Sequence, residues 1–238
     1  MIYNFEDYIN ELWAKGLTRN KNGEERIENR LGNHSFTDGN GKFHKYGLFP
    51  NTRKELEEYI ENVFNITPQN KSLNLNIIDV SNIDDFQMIF HKLRKDIVNM
   101  DLSGWNTINA EIMAATFVNM KYLEQINLSN WDIKNVMTIQ DIFFNCCKIK
   151  SISLANWKID NIVNFNGSFG NCKQLKTLDL SNWNLTYDPD VNYSNMFYHC
   201  DSLETIKCDE NTKKFILNNK ELLSFNIDDT KIKFEITK

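Results

Sequence analysis

Three cysteines recur at nearly equal spacing and could, by residue type, ligate a metal ion. Cys146, Cys172 and Cys200 are separated by 26 and 28 residues, and Met120 lies 26 residues before the first of them. Structural zinc needs four ligands that surround the ion. Cysteines on successive turns of a stacked fold would instead form a straight row, ~5 Å apart. We therefore predict no metal site and a buried, apolar role for this column.

The other residues that could do chemistry form no catalytic motif. The four histidines are scattered over different parts of the chain: His34, His44, His91 and His199. None lies in an H-E-x-x-H pattern, and the sequence has no phosphate-binding loop, no G-x-S-x-G and no G-x-G-x-x-G. Asp188 and Asp190 flank Pro189, but a bulged loop explains this pair better than acid–base catalysis. These patterns predict a protein that is not an enzyme and has no cofactor.

Four of the five tryptophans are spaced 26 residues apart. They are Trp105, Trp131, Trp157 and Trp183. A row of exposed, stacked aromatic rings could bind sugars or nucleobases. A Trp at the same place in every unit is explained more simply as a core ladder, because each repeat then buries its own ring against the next. We favour the core ladder over the binding platform.

The tryptophans belong to a 26-residue repeat with the consensus L-x-x-I-x-L-S-N-W, as in residues 123–131. A Phe follows twelve residues after each of the first three tryptophans. In the fourth copy it comes two residues later, after a loop that contains Pro189, and a bulge of this loop explains the shift. Half-units precede the first copy, in residues 79–90, and follow the last, in residues 203–208. Truncated terminal units are typical of a capped stack.

Each repeat predicts one short strand and one short helix. The I-x-L alternation is a strand pattern, and the segment before each Phe, such as residues 137–146, has apolar residues at the three- and four-residue spacings of a helix. One such unit cannot bury both of its faces alone, so neighbouring units must stack. The sequence therefore predicts a solenoid with a parallel sheet along one side.

The phrases L-x-L-S-N-W, N-V and M-F-x-x-C-x-x-L resemble the BspA-like leucine-rich repeat family, which includes Mycoplasma lipoprotein-associated repeats. They cover residues 73 to about 208. The phrase F-P-N-T-R-K-E-L at residues 49–56 resembles the capping module of that family, which extends the resemblance to residues 46–208. The resemblance implies an α/β leucine-rich-repeat solenoid. Many family members are exported surface proteins, so it also implies adhesion as an alternative function.

We expect four segments: an N-terminal helical and hairpin module (1–48), a capping helix (49–72), the leucine-rich repeats (73–208) and a C-terminal β cap (209–238). Residues 1–45 resemble no family.

Local patterns predict the elements of the terminal segments. Residues 4–15 read as a helix, and the Gly-rich stretch between Phe36 and Phe43 as a hairpin or an exposed loop. Thr52 and Glu55 have the spacing of a capping box. An apolar stripe follows them: Leu56, Tyr59, Ile60 and Val63. In the C-terminal cap, residues 215–217 and 232–236 read as strands.

Composition places the chain among globular proteins. Hydrophobic residues make up 41% and charged residues 25%, and the net charge of -5 argues against a nucleic-acid-binding surface. The first residues lack the basic and apolar regions of a signal peptide, and no apolar run approaches the ~18 residues of a membrane span. We expect a monomer in the bacterial cytoplasm, without contact to a membrane. We attribute the 35 asparagines to an AT-rich genome, that of a low-GC bacterium or its phage.

Two surfaces are candidates for binding a partner. One is the open face of the sheet, formed by two columns of strand residues: Asn99, Gln125, Ser151 and Thr177, and beside them Asp101, Asn127, Ser153 and Asp179. The other is the basic and aromatic N-terminal module: Arg19, Lys21, Arg26, Arg30, Phe36, Phe43, His44 and Tyr46. The family resemblance favours the sheet. Composition favours the N-terminal module, because interfaces are enriched in aromatic residues and Arg.

The functional hypothesis is a non-catalytic protein that binds and occludes an intracellular protein partner, the usual role of a solenoid. A phage-encoded inhibitor of host defence, of the anti-CRISPR type that blocks an RNA-guided nuclease or its ribonucleoprotein complex, fits this description. The alternative is a leaderless BspA-like surface adhesin or host-binding protein. An enzyme is the third possibility.

Overall fold

The computed structural model describes residues 35–37, 43–45, 50–66, 71–76, 78–93, 97–155, 157–228 and 230–237. Its strands are β1 (Ser35–Thr37), β2 (Phe43–Lys45), β3 (Ser72–Asn74), β4 (Asn99–Asp101), β5 (Gln125–Asn127), β6 (Ser151–Ser153), β7 (Thr177–Asp179), β8 (Thr205–Cys208) and β9 (Lys233–Ile236). Its helices are α1 (Arg53–Ile66), α2 (Glu210–Asn218) and α3 (Lys220–Leu223).

Strands β3 to β8 come from successive turns of a parallel β-solenoid. Strands β3, β4 and β5 form one sheet in that order. Strands β6, β7 and β8 form a second sheet, to which β9 adds at the end. The register follows the repeat, because Met100 pairs with Ile126 and Ile152 pairs with Leu178. The prediction of a repeat solenoid with a parallel sheet along one side is confirmed.

The prediction of a short helix in each repeat is wrong. The described residues between 71 and 208 contain no α-helix, and the segment before each Phe makes a second ladder between turns. Alternate amides donate to the following turn, as from Ala115 to the Gln140 carbonyl at 2.7 Å and from Phe117 to the Ile142 carbonyl at 2.9 Å. We call this set of hydrogen bonds between turns the turn ladder. Because alternate amides are used in the turn ladder, too few remain for the bonding pattern of a helix, in which each amide donates to the carbonyl four residues earlier.

Two left-handed residues per turn explain why this segment cannot be helical. They lie four positions apart and recur in register: Ala115 and Asn119, Asp141 and Asn145, Gly167 and Asn171, Asn195 and His199. Gly167 has a φ of 61°, which Gly adopts without strain, and a Cβ at this position would require the Asp141 carboxylate of the preceding turn to move. The apolar spacing therefore fits a helix, although two left-handed residues interrupt the right-handed backbone of the segment.

Aromatic stacks fill the core. Trp105, Trp131 and Trp157 stack with centroids 6.0 and 6.2 Å apart and planes 4° from parallel. A second stack runs through the Phe column, with Phe117 and Phe143 5.1 Å apart. The four repeat tryptophans expose only 1–3% of their surface. The core-ladder prediction for the tryptophans is therefore confirmed.

The bulge in the fourth repeat is also confirmed. Bridges of the turn ladder join residues 26 apart at Ile112 and Thr138 and again at Thr138 and Asn164. The next bridge joins Asn164 to Asn192, 28 residues away. The two extra residues are absorbed in the loop around Pro189, so the stacking of the Phe column continues, with Phe169 and Phe197 5.8 Å apart. 

Asparagine side chains link neighbouring turns. Asn145 donates to the Asn119 side-chain oxygen at 2.6 Å, and Asn171 donates to that of Asn145 at 2.6 Å. Other asparagines donate to backbone carbonyls of the preceding turn, as Asn161 does to Lys134 at 2.6 Å. Part of the asparagine excess, which the sequence analysis assigned to genome composition alone, therefore has a structural role.

Helix α1 caps the first turn, as predicted. The Glu55 amide donates to Thr52 Oγ1 at 3.2 Å, and the Glu55 carboxylate accepts from the Asn51 amide at 2.8 Å. Leu56, Ile60 and Val63 are buried against the solenoid.

The C-terminal cap is mixed rather than purely β. Residues 215–217, predicted as a strand, lie in helix α2. Asp209 caps the start of this helix, and its carboxylate accepts from the Thr212 amide at 2.8 Å. Phe215 and Ile216 are buried, so these apolar side chains lie on the inward face of helix α2. The other prediction is confirmed, since β9 pairs in parallel with β8.

Before α1, strands β1 and β2 pair in antiparallel fashion, with Phe36 opposite His44. The hairpin between Phe36 and Phe43 is therefore confirmed over the strands that are described. The helix predicted for residues 4–15 lies outside the described residues.

Candidate interaction surfaces

The open strand face is polar and makes many of its hydrogen bonds internally. Gln125, Asn127, Ser151 and Ser153 are exposed, whereas Asn99, Asp101, Thr177 and Asp179 are half-buried. Asn99 donates to Ser72 Oγ at 3.0 Å, and Asn74 donates to the Asp101 carboxylate at 3.3 Å. The predicted columns are in register along β3–β5 and along β6–β8. They carry no large side chain that could anchor a partner.

Several of these polar residues also hold the local turn. The side-chain oxygens of Asp101, Asn127 and Asp179 each accept from the amide two residues later, at 3.1, 3.2 and 3.1 Å. This is an Asx turn, which fixes the exit of each strand. The acidic groups predicted for partner binding are therefore partly committed to the fold.

Ion pairs border this face on one side. Lys150 contacts Glu124 at 2.9 Å, and Lys176 contacts Glu204 at 2.8 Å. The hydrogen bond and charge of Lys150 hold the pKa of Glu124 below its usual value. Pairs at the surface contribute little to stability, so their main consequence is to neutralise charge beside the strand face.

Most of the predicted N-terminal surface lies outside the described residues: Arg19, Lys21, Arg26, Arg30 and Tyr46. Phe36, Phe43 and His44 belong to the β1–β2 hairpin. The basic cluster therefore stays a prediction.

The strand face is interrupted between β5 and β6. Leu102 donates to the Asn127 carbonyl at 3.0 Å and Leu154 to the Asp179 carbonyl at 2.8 Å, but the corresponding bond from Leu128 to Ser153 is not formed in the described part of the chain. A cleft of about 150 Å³ opens there. Across the same two turns the turn ladder is intact, since Phe143 donates to the Ser168 carbonyl at 2.9 Å.

Trp157 lines this cleft and differs from the other tryptophans of the repeat. The indole N–H groups of Trp105, Trp131 and Trp183 donate to backbone carbonyls of the preceding turn at 3.0, 3.1 and 3.0 Å. That of Trp157 has no hydrogen-bond partner among the described residues, although the side chain is 97% buried. The tryptophans themselves do not mark this difference, because all four fit one consensus.

The repeat can now be placed in a family. Residues 57–150 and 113–226 match the family described as Mycoplasma protein of unknown function, DUF285. This chain belongs to that family. The overlapping matches span the solenoid from α1 to the C-terminal cap, so the repeats belong to a Mycoplasma-type family. A comparison with curated proteins finds no match.

In this DUF285 chain the cysteine column faces inward, as predicted. The thiols of Cys146, Cys172 and Cys200 donate to the carbonyls of Phe117, Phe143 and Phe169, respectively, at 3.1, 3.2 and 3.0 Å. Burial raises the pKa of all three, that of Cys200 to about 12. Cys208, for which no role was predicted, is also buried, whereas Cys147 is half-buried. Buried thiols with a raised pKa are poor nucleophiles.

A search of the described residues finds no group of three or more His, Cys, Asp or Glu side chains placed to hold a metal ion. Within the same residues, none of the helices has the length and apolar character that crossing a membrane requires.

One exposed apolar surface was missed by the sequence analysis. Met137 and Val163 lie next to each other on adjacent turns, because the Val163 amide donates to the Met137 carbonyl at 2.9 Å. Their exposed fractions are 46% and 54%. The half-buried Val191 is beside Val163, and Tyr187, which is 59% exposed, precedes it on the bulged loop. We call Met137, Val163, Tyr187 and Val191 the apolar corner.

Acidic residues flank the apolar corner. Glu111 precedes Met137 in the same column, since the Met137 amide donates to the Glu111 carbonyl at 2.9 Å. Asp188 and Asp190 follow Tyr187, and the Asp188 carboxylate accepts from the Asp190 amide at 2.9 Å. This bond fits the predicted bulged loop. The corner thus combines exposed apolar side chains with negative charge at both ends.

Proposed function

We propose that this protein is a non-catalytic interaction protein that binds another protein through the apolar corner. The observation that carries the proposal is the adjacent exposure of Met137 and Val163, with Tyr187 on the neighbouring loop. Protein interfaces are enriched in aromatic residues and Met, and Tyr is frequent among the residues that contribute most of the binding energy. The family match supports a role as an interaction or surface repeat protein.

The corner is a better anchor than the strand face. The exposed strand residues, such as Gln125 and Ser151, are small or polar, and burying them would cost desolvation without a large apolar gain. Val163 and Tyr187 already expose more than half of their surface to water. Covering them is favourable in proportion to the apolar area removed from water.

The flanking charges define the chemistry of the partner. Glu111 at one end and Asp188 and Asp190 at the other are exposed acidic side chains. A partner with an apolar recess and a rim of Lys or Arg would complement them. Association would then slow as salt is added, because screening weakens the attraction between such surfaces.

The finer version of this proposal is that binding occludes an intracellular partner, such as an RNA-guided nuclease or its complex. The compact, capped solenoid is compatible with a blocking role, but no feature of the corner selects a nuclease over another basic-rimmed protein. This identity, the absence of an enzymatic activity, the monomeric state and the cytoplasmic location all remain predictions.

The alternative is a surface adhesin of the BspA-like type, a role compatible with the match to a Mycoplasma-type repeat family. Fractionation of the native cell distinguishes the two. Recovery of the chain with the envelope supports the adhesin, whereas recovery with soluble proteins supports the intracellular partner.

The test is quantitative affinity purification from lysate of the organism that encodes the chain. Val163→Arg and Tyr187→Ala should each lower recovery of a specific partner at least tenfold. Gln125→Arg and Ser151→Arg are matched controls on the strand face and should leave recovery unchanged. They are better controls than changes at Asn127 or Asp179, whose side chains hold Asx turns.

The opposite result would refute the apolar corner as the binding site. If the strand-face variants lose the partner and the corner variants keep it, the strand face is the site. If only neutralisation of Arg19, Lys21, Arg26 and Arg30 abolishes capture, the N-terminal module is the site. Circular dichroism of every variant checks that a loss is not caused by unfolding.

A further inference from the structure

The cleft between β5 and β6 has apolar walls. Ile126 and Leu128 line it on one turn, and Leu154 and Trp157 line it on the next. Ile126 is half-buried, whereas its counterparts Met100 and Ile152 are 3% and 1% exposed. The opening therefore exposes side chains that the solenoid covers elsewhere.

The cleft also contains a hydrogen-bond donor that has no acceptor among the described residues. In three of the four tryptophan repeats the indole N–H is satisfied by the preceding turn. At Trp157 the counterpart of that acceptor would be the Leu128 carbonyl, whose residue lines the opposite wall of the cleft. The indole nitrogen borders the open cleft and is not fully sealed from solvent, so a group that supplies an acceptor here replaces water and gains the modest net energy of a hydrogen bond.

The size of the cleft limits what can enter. Its volume of about 150 Å³ is that of a cavity which accommodates a benzene-sized molecule. It is open to solvent on the strand face, where Ser129 and Ser153 form its polar margin. The described residues that line it include no Lys, Arg, Asp or Glu that would neutralise a charged ligand.

We propose that this cleft binds a small, neutral, apolar group that bears a carbonyl oxygen, with the Trp157 indole N–H as the donor to that oxygen. The proposal does not rest on the proposed function, because the apolar corner lies on a different part of each turn. The same chemistry has two sources: a free small ketone or amide, or an apolar residue with its peptide carbonyl on an extended segment of another protein.

Nuclear magnetic resonance of the full chain, labelled with nitrogen-15, tests the proposal directly. Cyclohexanone is the probe, and methylenecyclohexane, which has the same shape without the oxygen, is the matched control ligand. The Trp157 indole signal, assigned from its loss in Trp157→Phe, should shift saturably with cyclohexanone, with a dissociation constant on the order of millimolar. The signals of Trp105, Trp131 and Trp183 serve as internal controls and should not move.

Methylenecyclohexane should bind about fivefold more weakly, because it cannot accept the hydrogen bond. In Trp157→Phe this preference for the ketone should vanish, whereas Trp131→Phe should retain it. In deuterated water without ligand, the Trp157 indole proton should exchange faster than those of Trp105, Trp131 and Trp183.

Three results would overturn the proposal: no shift at Trp157 at saturating cyclohexanone, equal shifts at all four repeat tryptophans, or an unchanged ketone preference in Trp157→Phe. The source is decided by a second probe, N-acetylleucine methylamide. Tighter binding of this peptide analogue than of cyclohexanone assigns the site to a peptide segment, and the opposite order assigns it to a free small molecule.

Discussion

The two ladders that join the turns of this solenoid differ in continuity. The turn ladder runs without a break from the turn of Phe117 to that of Phe169. The strand ladder is interrupted between β5 and β6. Both ladders are built from the same repeat, so the interruption does not follow from the consensus.

The difference shows that the two sides of each turn are not equally constrained. The turn side has backbone bonds, the Asn119–Asn145–Asn171 side-chain ladder and cysteine thiols that all connect the same turns. The strand side has short three-residue strands and Asx turns. The third repeat has Ser153 and Ala155 where its neighbours have Asx and Ser, and the side chain of Ser153 does not accept from the Ala155 amide in the described structure.

The largest expected effect on stability comes from the tryptophan stack in the core. Trp131→Ala removes a ring stacked on both sides and should lower the free energy of unfolding by ~3–5 kcal/mol. Trp157→Ala should cost about 1 kcal/mol less, because its indole N–H loses no hydrogen bond. Urea unfolding of both variants measures the difference. A cost at Trp157 equal to or above that at Trp131 would contradict the interruption.

The turn ladder should be sensitive at Asn145. Asn145→Ala removes both asparagine contacts and places Ala at a left-handed backbone position, so we expect a loss of about 2–3 kcal/mol. Asn145→Gly is the control, since it removes the contacts but adopts the backbone without strain. It should cost less than Ala. Equal costs for Gly and Ala would show that the left-handed conformation contributes nothing.

The thiols of the turn side should make stability depend on alkaline pH. The pKa of Cys200 is raised from its ordinary 9.0 to about 12 by burial. Below pH 9.0 both folded and unfolded chains keep the proton, so this stability is fully present; between pH 9.0 and 12 the unfolded chain ionises first and the stability falls. The slope reaches about 1.4 kcal/mol per pH unit.

Unfolding of the wild type and of Cys200→Ala at pH 8 and pH 10 measures this contribution. Lysines also titrate in this range, but they are common to both proteins, so the difference in slope isolates the thiol. The variant should lose less stability than the wild type between the two pH values. Identical losses would mean that the Cys200 thiol is accessible in the folded state.

The smallest effect on stability should come from creating the Asx turn that the third repeat lacks on the strand side. Ser153→Asn copies Asn127 and should create the missing Asx turn, which changes stability by less than ~1 kcal/mol. Hydrogen exchange at the Ala155 amide and the Trp157 indole should slow. Ser151→Asn is the control, because it introduces the same side chain away from the turn. Unchanged exchange in Ser153→Asn would show that the turn does not govern the cleft.

The sequence predicted the parts of the fold that depend on spacing. The 26-residue period placed Trp131, Phe143 and Cys146 inside, and it set the strand register that pairs Met100 with Ile126. The capping box at Thr52 and Glu55 likewise placed helix α1. Each of these signals lies within one repeat or one turn of chain.

The backbone of the segment before each Phe could not be predicted in the same way. Its apolar spacing fits a helix, but the amide of Ala115 bonds to Gln140 on the next turn rather than within its own segment. Left-handed positions occupied by Ala115, Asp141 and Asn195 share no residue type that would mark them. The candidate site was missed for a similar reason, because Met137 and Val163 look like core residues in the sequence.

The sequence by itself determined the period, the inward columns and the register, because the same apolar residues return at the same place in every unit. Only the tertiary structure decided which amides bond across turns, where the strand ladder opens and which apolar side chains remain exposed. These outcomes depend on atoms about 26 residues apart along the chain. Trp157 and Trp131 are identical in the consensus, yet the Trp131 indole finds its acceptor on the preceding turn and that of Trp157 faces a cleft.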